Sequence, residues 1–283
     1  MKLGYFGFNN GALANPSDMA TVLRALEDHG FESAWTGEHV VVIDPQEAPS
    51  PVPPKFPFVD TVAALSFAAA ITSKLKLGSG IILLAQRSLV VLANELASVD
   101  VLSKGRLLFG VGVGYVEREF QAIGVPYEER GARVNEHIEA MRALWTMDKP
   151  EFQGRFTQFS GVQAKPTPIQ TPHPPVIIGG MSKAGYARAT RYGQGWYGFN
   201  QNEAEAEASI EGLRAAAEAQ QAPERFDALE ISITPRGPVT PERVEKFAAL
   251  GVHRLILLPA ASDSSSLDQA LQFIETQANQ LLK

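Results

Sequence analysis

Three short stretches carry residue types that can do chemistry. In Gly179-Gly180-Met181-Ser182, a glycine pair sits between an apolar run (175–178) and a helical pattern that opens at Ser182. Glycine lets a ligand approach the backbone, and the first amides of a helix are unpaired at the positive end of its dipole. Strand, glycine pair and helix start together suit an anion such as a phosphate; the same string also makes an ordinary strand-to-helix turn. Gly37-Glu38-His39 supplies an imidazole, which titrates near neutrality and can serve as acid or base. Glu38 beside it reads as an acceptor for loop amides. Gly112-Val113-Gly114-Tyr115 adds two glycines and a phenol, a weak acid at neutral pH.

Other chemistries are excluded or poorly supplied. Cysteine is absent, which removes disulfides, thiolate metal sites and cysteine nucleophiles. There is no H-E-x-x-H, no pair of histidines at ligand spacing and no nucleophile elbow. The net charge of −6 argues against nucleic acid as a partner. The start is too short for a signal peptide, and no apolar run is long enough to span a bilayer, so a soluble, cytoplasmic protein is expected. A site so poor in acids and bases suits a large planar cofactor that brings its own reactivity. A sugar-phosphate isomerase or aldolase would need a lysine or a matched glutamate pair, and Glu38 lacks a partner.

The elements that must position these residues alternate. Strands are expected at 3–8, 33–36, 75–84, 106–113, 175–178, 195–199, 229–234 and 253–258. Helices are expected at 16–29, 58–72, 88–102, 128–146, 182–192, 203–220, 240–250 and 266–282, with a short one at 116–121 and a serine-rich loop before the last. Ser88, Ser182 and Thr240 stand where caps belong. Eight β/α pairs over 283 residues predict one closed (β/α)8 TIM barrel spanning 1–283. An open doubly wound sheet would want G-x-G-x-x-G after the first strand, where Phe8-Asn9-Asn10-Gly11 stands. Residues 148–174 read as an insertion before the fifth strand, with Phe152, Phe156 and Phe159 in a hairpin against the barrel. Residues 40–57 hold six prolines and read as a loop on the substrate side. Substrate choice is expected to depend on this loop and on the insertion. Trp35, Trp145 and Trp196 read as core fillers, and Arg130, Arg133 and Glu136 as one ion-paired helix face. In a barrel the site lies at the carboxyl ends of the strands, where all three chemical stretches fall.

Three blocks carry a family resemblance: residues 105–114 (GRLLFGVGVG), 127–145 (YEERGARVNEHIEAMRALW) and 172–196 (PHPPVIIGGMSKAGYARATRYGQGW). Together they resemble the bacterial luciferase-like superfamily, and within it the branch of probable F420-dependent oxidoreductases. The resemblance implies a barrel enzyme that uses coenzyme F420 or FMN, with F420 preferred, and that transfers hydride to, or monooxygenates, a small organic substrate. The other readings are a flavin-binding barrel without turnover and a sugar-phosphate isomerase or aldolase. The resemblance places the cofactor phosphate at Gly179, Gly180, Met181 and Ser182, and the ring over Gly112, Val113 and Gly114. It sets His39 beside the ring and leaves Tyr115 as a candidate proton donor. It implies a non-proline cis peptide under the ring, for which Leu83-Leu84 is the candidate. Val113 replaces an arginine that meets the phosphate in luciferase. Tyr115 and Val40–Val42 replace the acid and tryptophan of the sugar-phosphate dehydrogenase branch, which speaks against glucose 6-phosphate. The alanine-rich helices after the second and third strands offer a homodimer face. A separate flavin reductase is expected if FMN is used.

Overall fold

The computed structural model describes residues 1–260 and 265–282; most of the serine-rich stretch before the last helix lies outside them. Eight parallel strands close into a barrel: β1 (Lys2–Phe6), β2 (Ser33–Thr36), β3 (Lys76–Ser79), β5 (Leu107–Gly112), β8 (Val176–Gly179), β9 (Gly195–Gln201), β10 (Glu230–Pro235) and β11 (Arg254–Leu257). β1 lies between β2 and β11, and the pairing of β3 with β5 seals the ring. A short extra strand, β4 (Ile82–Leu83), also pairs with β5. The barrel helices are α1 (Pro16–Asp28), α2 (Thr61–Ile71), α3 (Leu89–Leu102), α5 (Arg130–Thr146), α6 (Lys183–Tyr192), α7 (Glu203–Ala219), α9 (Pro241–Ala249) and α10 (Leu267–Leu281). Short helices α4 (Glu117–Ile123) and α8 (Glu224–Asp227) complete the described elements, apart from a small hairpin and short 3-10 turns. Among the described residues no helix is long and apolar enough to cross a membrane.

The expected third strand, 75–84, is two strands, because the chain breaks step at Gly80–Ile81. That bond is the non-proline cis peptide, so the expectation of one at Leu83-Leu84 is corrected. The Ser79 hydroxyl takes over the ladder here: it accepts from the Gly110 amide at 2.8 Å and donates to the Gly110 carbonyl at 2.9 Å. Gly110 must be glycine, since a Cβ there would lie 1.8 Å from the Ser79 carbonyl oxygen. Ser182 caps α6 and Thr240 caps α9 through side-chain oxygens, whereas the Ser88 side chain makes no cap bond on α3.

The barrel interior is filled by Trp35, Leu108, Ile177, Tyr197 and Ile256, with Phe6 and Ile81 packed against them. The larger core lies between barrel and helices, around residues such as Leu23, Leu96, Phe109 and Ile138. Each such side chain contributes about 1.5–3 kcal/mol when fully buried. The amino-terminal end is closed by charge. Arg254, 1% exposed, bonds Glu32 through two nitrogens at 2.8 and 2.9 Å, donates to Ser232 Oγ at 3.0 Å and pairs with Glu230. Its guanidinium lies 5.6 Å from the Trp35 ring centroid.

The insertion forms the hairpin β6 (Phe152–Gln153) and β7 (Gln158–Phe159), with Phe152 and Phe159 stacked. Glu136 holds its turn by accepting from the amides of Arg155, Phe156 and Thr157. Arg133 of α5 pairs instead with Glu129, which precedes the helix, and Arg130 lies over the Tyr127 ring. Residues 169 and 170 bond the buried Asp100 at the carboxyl end of α3. Gln170 also reaches the carbonyl of Leu107, which begins β5. These contacts tie the insertion to α3, α5 and the amino-terminal side, so the expectation that it shapes substrate choice finds no support in them.

Candidate active site at the carboxyl rim

The segments after β8, β5, β4 and β2 follow one another around the carboxyl rim, because β8 pairs with β5, and β5 with β3 and β4. Each of the three stretches proposed from sequence stands on this arc.

After β8 the chain turns through Gly180, whose φ is +121°. A Cβ on Gly180 would meet nothing within 4 Å, so this glycine faces open space. Trp196 fixes it from behind: its indole Nε1 donates to the Gly180 carbonyl at 2.9 Å. Met181, Ser182 and Lys183 are exposed. Ser182 Oγ accepts from the Gly185 amide at 3.1 Å, which leaves its hydroxyl hydrogen available. The first turn of α6 holds no carboxylate. An anion placed here meets helix amides, a hydroxyl and Lys183.

The other glycines have different reasons. A Cβ at Gly112 would lie 2.0 Å from Ile81 Cδ1, and one at Gly179 would lie 2.6 Å from the same atom. Ile81, delivered by the bulge, fills the space both vacate. Gly114, at φ +80°, makes room for the Phe120 ring. Val113 packs against the outer core, Leu84 is fully buried, and Leu83 donates its amide to Glu38 Oε1 at 3.0 Å.

After β2, Asn9 fixes the backbone of Gly37 through both its amide and its carbonyl. Glu38 is buried and paired with Arg87 at 2.9 Å; Arg87 also meets Asp60 at 2.9 Å. Burial pushes the Glu38 carboxyl above its ordinary range while Arg87 pulls it back. Glu38 is thus an acceptor for Arg87 and a loop amide, as its setting beside a loop suggested. His39 follows, with its ring 5.3 Å from Phe58 and edge-on to Tyr115 at 6.3 Å. His39 Nδ1 lies 2.5 Å from Glu119 Oε1, and Glu119 Oε2 accepts from Gln86 Nε2 at 3.3 Å. Tyr115 is half-exposed, and partial burial together with the Glu119 charge raises its phenol above the ordinary value.

Glu119 and Gln86 escaped sequence reasoning. One signal was present: in the turn 116–121, Glu119 stands three residues after Val116 and next to Phe120, both buried. A carboxylate on the buried face of a short helix calls for a partner. Among the described residues, Gln86 Oε1 and Thr36 Oγ1, near the ends of β4 and β2, are buried without a hydrogen-bond partner.

Several large apolar side chains stay exposed on this rim: Val40, Val41, Tyr115, Met181, Phe199 and Leu258. Phe199 packs on Phe6 at 5.3 Å. A hollow of about 160 Å³ beside His39 is lined by Phe58, Asp60, Thr61 and Arg87. A larger one of about 610 Å³ opens on the β9–β11 side, between Asn200, Pro235, Leu258 and α10. Arg118 of α4 pairs with Glu47 of the proline-rich loop at 2.5 Å, next to the residue, Glu119, that meets His39.

The family model of the luciferase-like monooxygenases matches residues 1–265. An uncharacterised protein of Mycobacterium tuberculosis is 29% identical over 273 residues, 93% of each chain. An FMNH2-dependent dimethylsulfone monooxygenase of Pseudomonas putida is 38% identical over 131 residues, 45% of this chain and 36% of that protein. Among solved structures, a coenzyme F420-dependent tetrahydromethanopterin reductase from Methanopyrus kandleri superposes with a TM-score of 0.79 at 16% identity, covering 99% of this chain and 98% of that one. At that identity the likeness is one of fold.

Proposed function

We propose that this chain, which belongs to the luciferase-like monooxygenase family, seats a tricyclic redox cofactor across the carboxyl rim with its phosphate at Gly179–Ser182. Family membership makes it a flavin- or F420-dependent oxidoreductase; the choice of cofactor, the seat and the residue roles are our reading. The observation that carries it is Gly180. It is the one rim glycine of the four whose vacant Cβ space faces outward, and it leads into a helix start with a serine, a lysine and no carboxylate. That surrounding fits a phosphate. The hollow beside His39 is smaller than the roughly 300–1,000 Å³ usual for ligand sites. The hollow of about 610 Å³ on the β9–β11 side falls within that range but is lined by neither His39 nor the 179–182 turn; the residues that would hold the ring are Ile81, the 180–183 turn and His39 on the open rim.

The bound cofactor would supply hydride transfer in the deazaflavin case, or oxygen chemistry as FMN. The chain's own residues do the rest. The α6 amides and Ser182 hold the anion. The Ile81 bulge and the 112–114 backbone support the ring from below. His39 meets it from the β2 side, and Tyr115 is the candidate proton donor. The exposed apolar side chains exclude water and favour a small organic substrate. We prefer F420, because His39 stands where deazaflavin members of the family place a histidine. FMN with monooxygenation is the second reading, supported by likeness to the Pseudomonas putida enzyme over 131 residues; a flavin reductase would then be a partner.

Titrating the protein with coenzyme F420 and with FMN, each followed by fluorescence quenching, tests this. Quenching by F420, weakened by Lys183→Ala and Ser182→Ala, is expected. Micromolar FMN binding without F420 binding overturns the cofactor preference, and failure of both overturns the seat. We also propose a homodimer through α2 and α3; light scattering showing a monomer refutes it.

A further inference from the structure

Glu119 is a carboxylate with 1% of its surface exposed. One oxygen faces His39 Nδ1 at 2.5 Å and the other takes a hydrogen bond from Gln86 at 3.3 Å. Among the described residues no lysine or arginine pairs with it. An ionised carboxylate buried without a partner is expensive, so His39 must balance it. A proton then lies between Nδ1 and Oε1. Whether it rests on nitrogen or oxygen, the pair is net neutral only when the other ring nitrogen, Nε2, also bears a hydrogen. Nε2 has no hydrogen-bond partner among the described residues, and the ring is held in place by Phe58 and Tyr115.

We propose that Glu119 is a positioning residue: it locks the His39 imidazole in one orientation and in the form that carries hydrogen on Nε2. His39 thereby presents a hydrogen-bond donor to the cofactor ring or substrate, and Gln86 holds Glu119 in register. The ligand half of this proposal rests on the cofactor reading above; the state of the ring does not.

The test uses protein with 15N-labelled histidine rings and no cofactor, the His39 signals being assigned through His39→Asn. At pH 7 the wild-type His39 ring is expected to show hydrogen on Nε2 and a hydrogen-bonded Nδ1. Glu119→Leu removes the charge and both oxygens, and its His39 ring is expected to average between tautomers. A bare Nε2 in the wild type, or an unchanged ring in Glu119→Leu, overturns the proposal. If Glu119→Leu fails to fold, Gln86→Leu decides: a loosened His39 ring supports the proposal and an unchanged one overturns it. Adding F420 or FMN should then move the Nε2 signal, and Glu119→Leu should bind about tenfold more weakly, the scale of one lost hydrogen bond between charged groups. Quenching without movement of Nε2 overturns the ligand half. Absence of quenching by both cofactors is a failure of the cofactor reading, seen apart from the state of the ring.

Discussion

Two buried charges, Arg254 at the amino-terminal end of the barrel and Glu119 at the carboxyl end, are handled in opposite ways. Arg254 is satisfied by two glutamates and a serine, and Lys2 also pairs with Glu230. At the carboxyl end Glu119 is buried against a histidine and an amide, and Gln86 and Thr36 keep unpartnered atoms. The first arrangement closes a barrel. The second leaves capacity for a ligand, and it sits where apolar side chains stay exposed. Substitutions at the amino-terminal end should therefore move stability and leave cofactor binding alone, while those at the rim should separate the two.

The largest expected effect is Arg254→Ala. It removes a buried guanidinium and its charged hydrogen bonds to Glu32 and Glu230, which are both partly exposed, and should cost about 3 kcal/mol in urea unfolding, with F420 or FMN affinity unchanged in the remaining folded protein. A loss of stability under about 1 kcal/mol would show that the network is only decorative, as exposed ion pairs often are. Next is Gly112→Ala. Its Cβ would lie 2.0 Å from Ile81 Cδ1, and displacing Ile81 should cost about 2 kcal/mol in thermal or urea unfolding. Full stability would mean that Gly112 serves ligand approach alone.

Glu27 offers a test of pH. Partial burial raises its carboxyl, but the amides of Lys74, Leu75 and Ser73 and the Ser73 hydroxyl outweigh that and bring it down to about 2. A carboxyl depressed in the folded state stabilises fully above its ordinary value near 4.5, and loses that contribution as pH falls towards 2. Glu27→Gln should lower stability by about 1.5 kcal/mol at pH 7. Melting curves of both proteins should converge between pH 4.5 and 2; a gap that persists at pH 2 would contradict the hydrogen-bond account. The smallest effect is expected at the rim. Trp196→Phe removes the bond to the Gly180 carbonyl and should cost about 1 kcal/mol. It should also weaken F420 or FMN binding, which separates an anion seat from an ordinary turn.

Much of this was legible in the chain. Apolar runs of strand length alternated with helical spacings, so the (β/α)8 order was readable, with boundaries a few residues off. Ser182 and Thr240 announced their helices because a cap is a local bond. The Gly80–Ile81 break was not legible, since two strands of any register look like one apolar run. Gly112 and Gly179 were read as approaches for a ligand; their vacancy is filled by Ile81, a residue distant from both in the chain. Glu136 looked like an ion-pair member because its helix neighbours are arginines, yet it holds three amides of a hairpin that is local only in space.

By itself the sequence determined the alternation, the absence of thiol chemistry and the placement of Gly179–Ser182, His39 and Tyr115 at strand ends, because these follow from period, composition and chain order. Tertiary structure decided which glycines face outward, where the cis bond lies and that Glu119 meets His39. Those outcomes depend on which side chains from remote segments occupy the same space, and periodicity along a single chain holds no record of that.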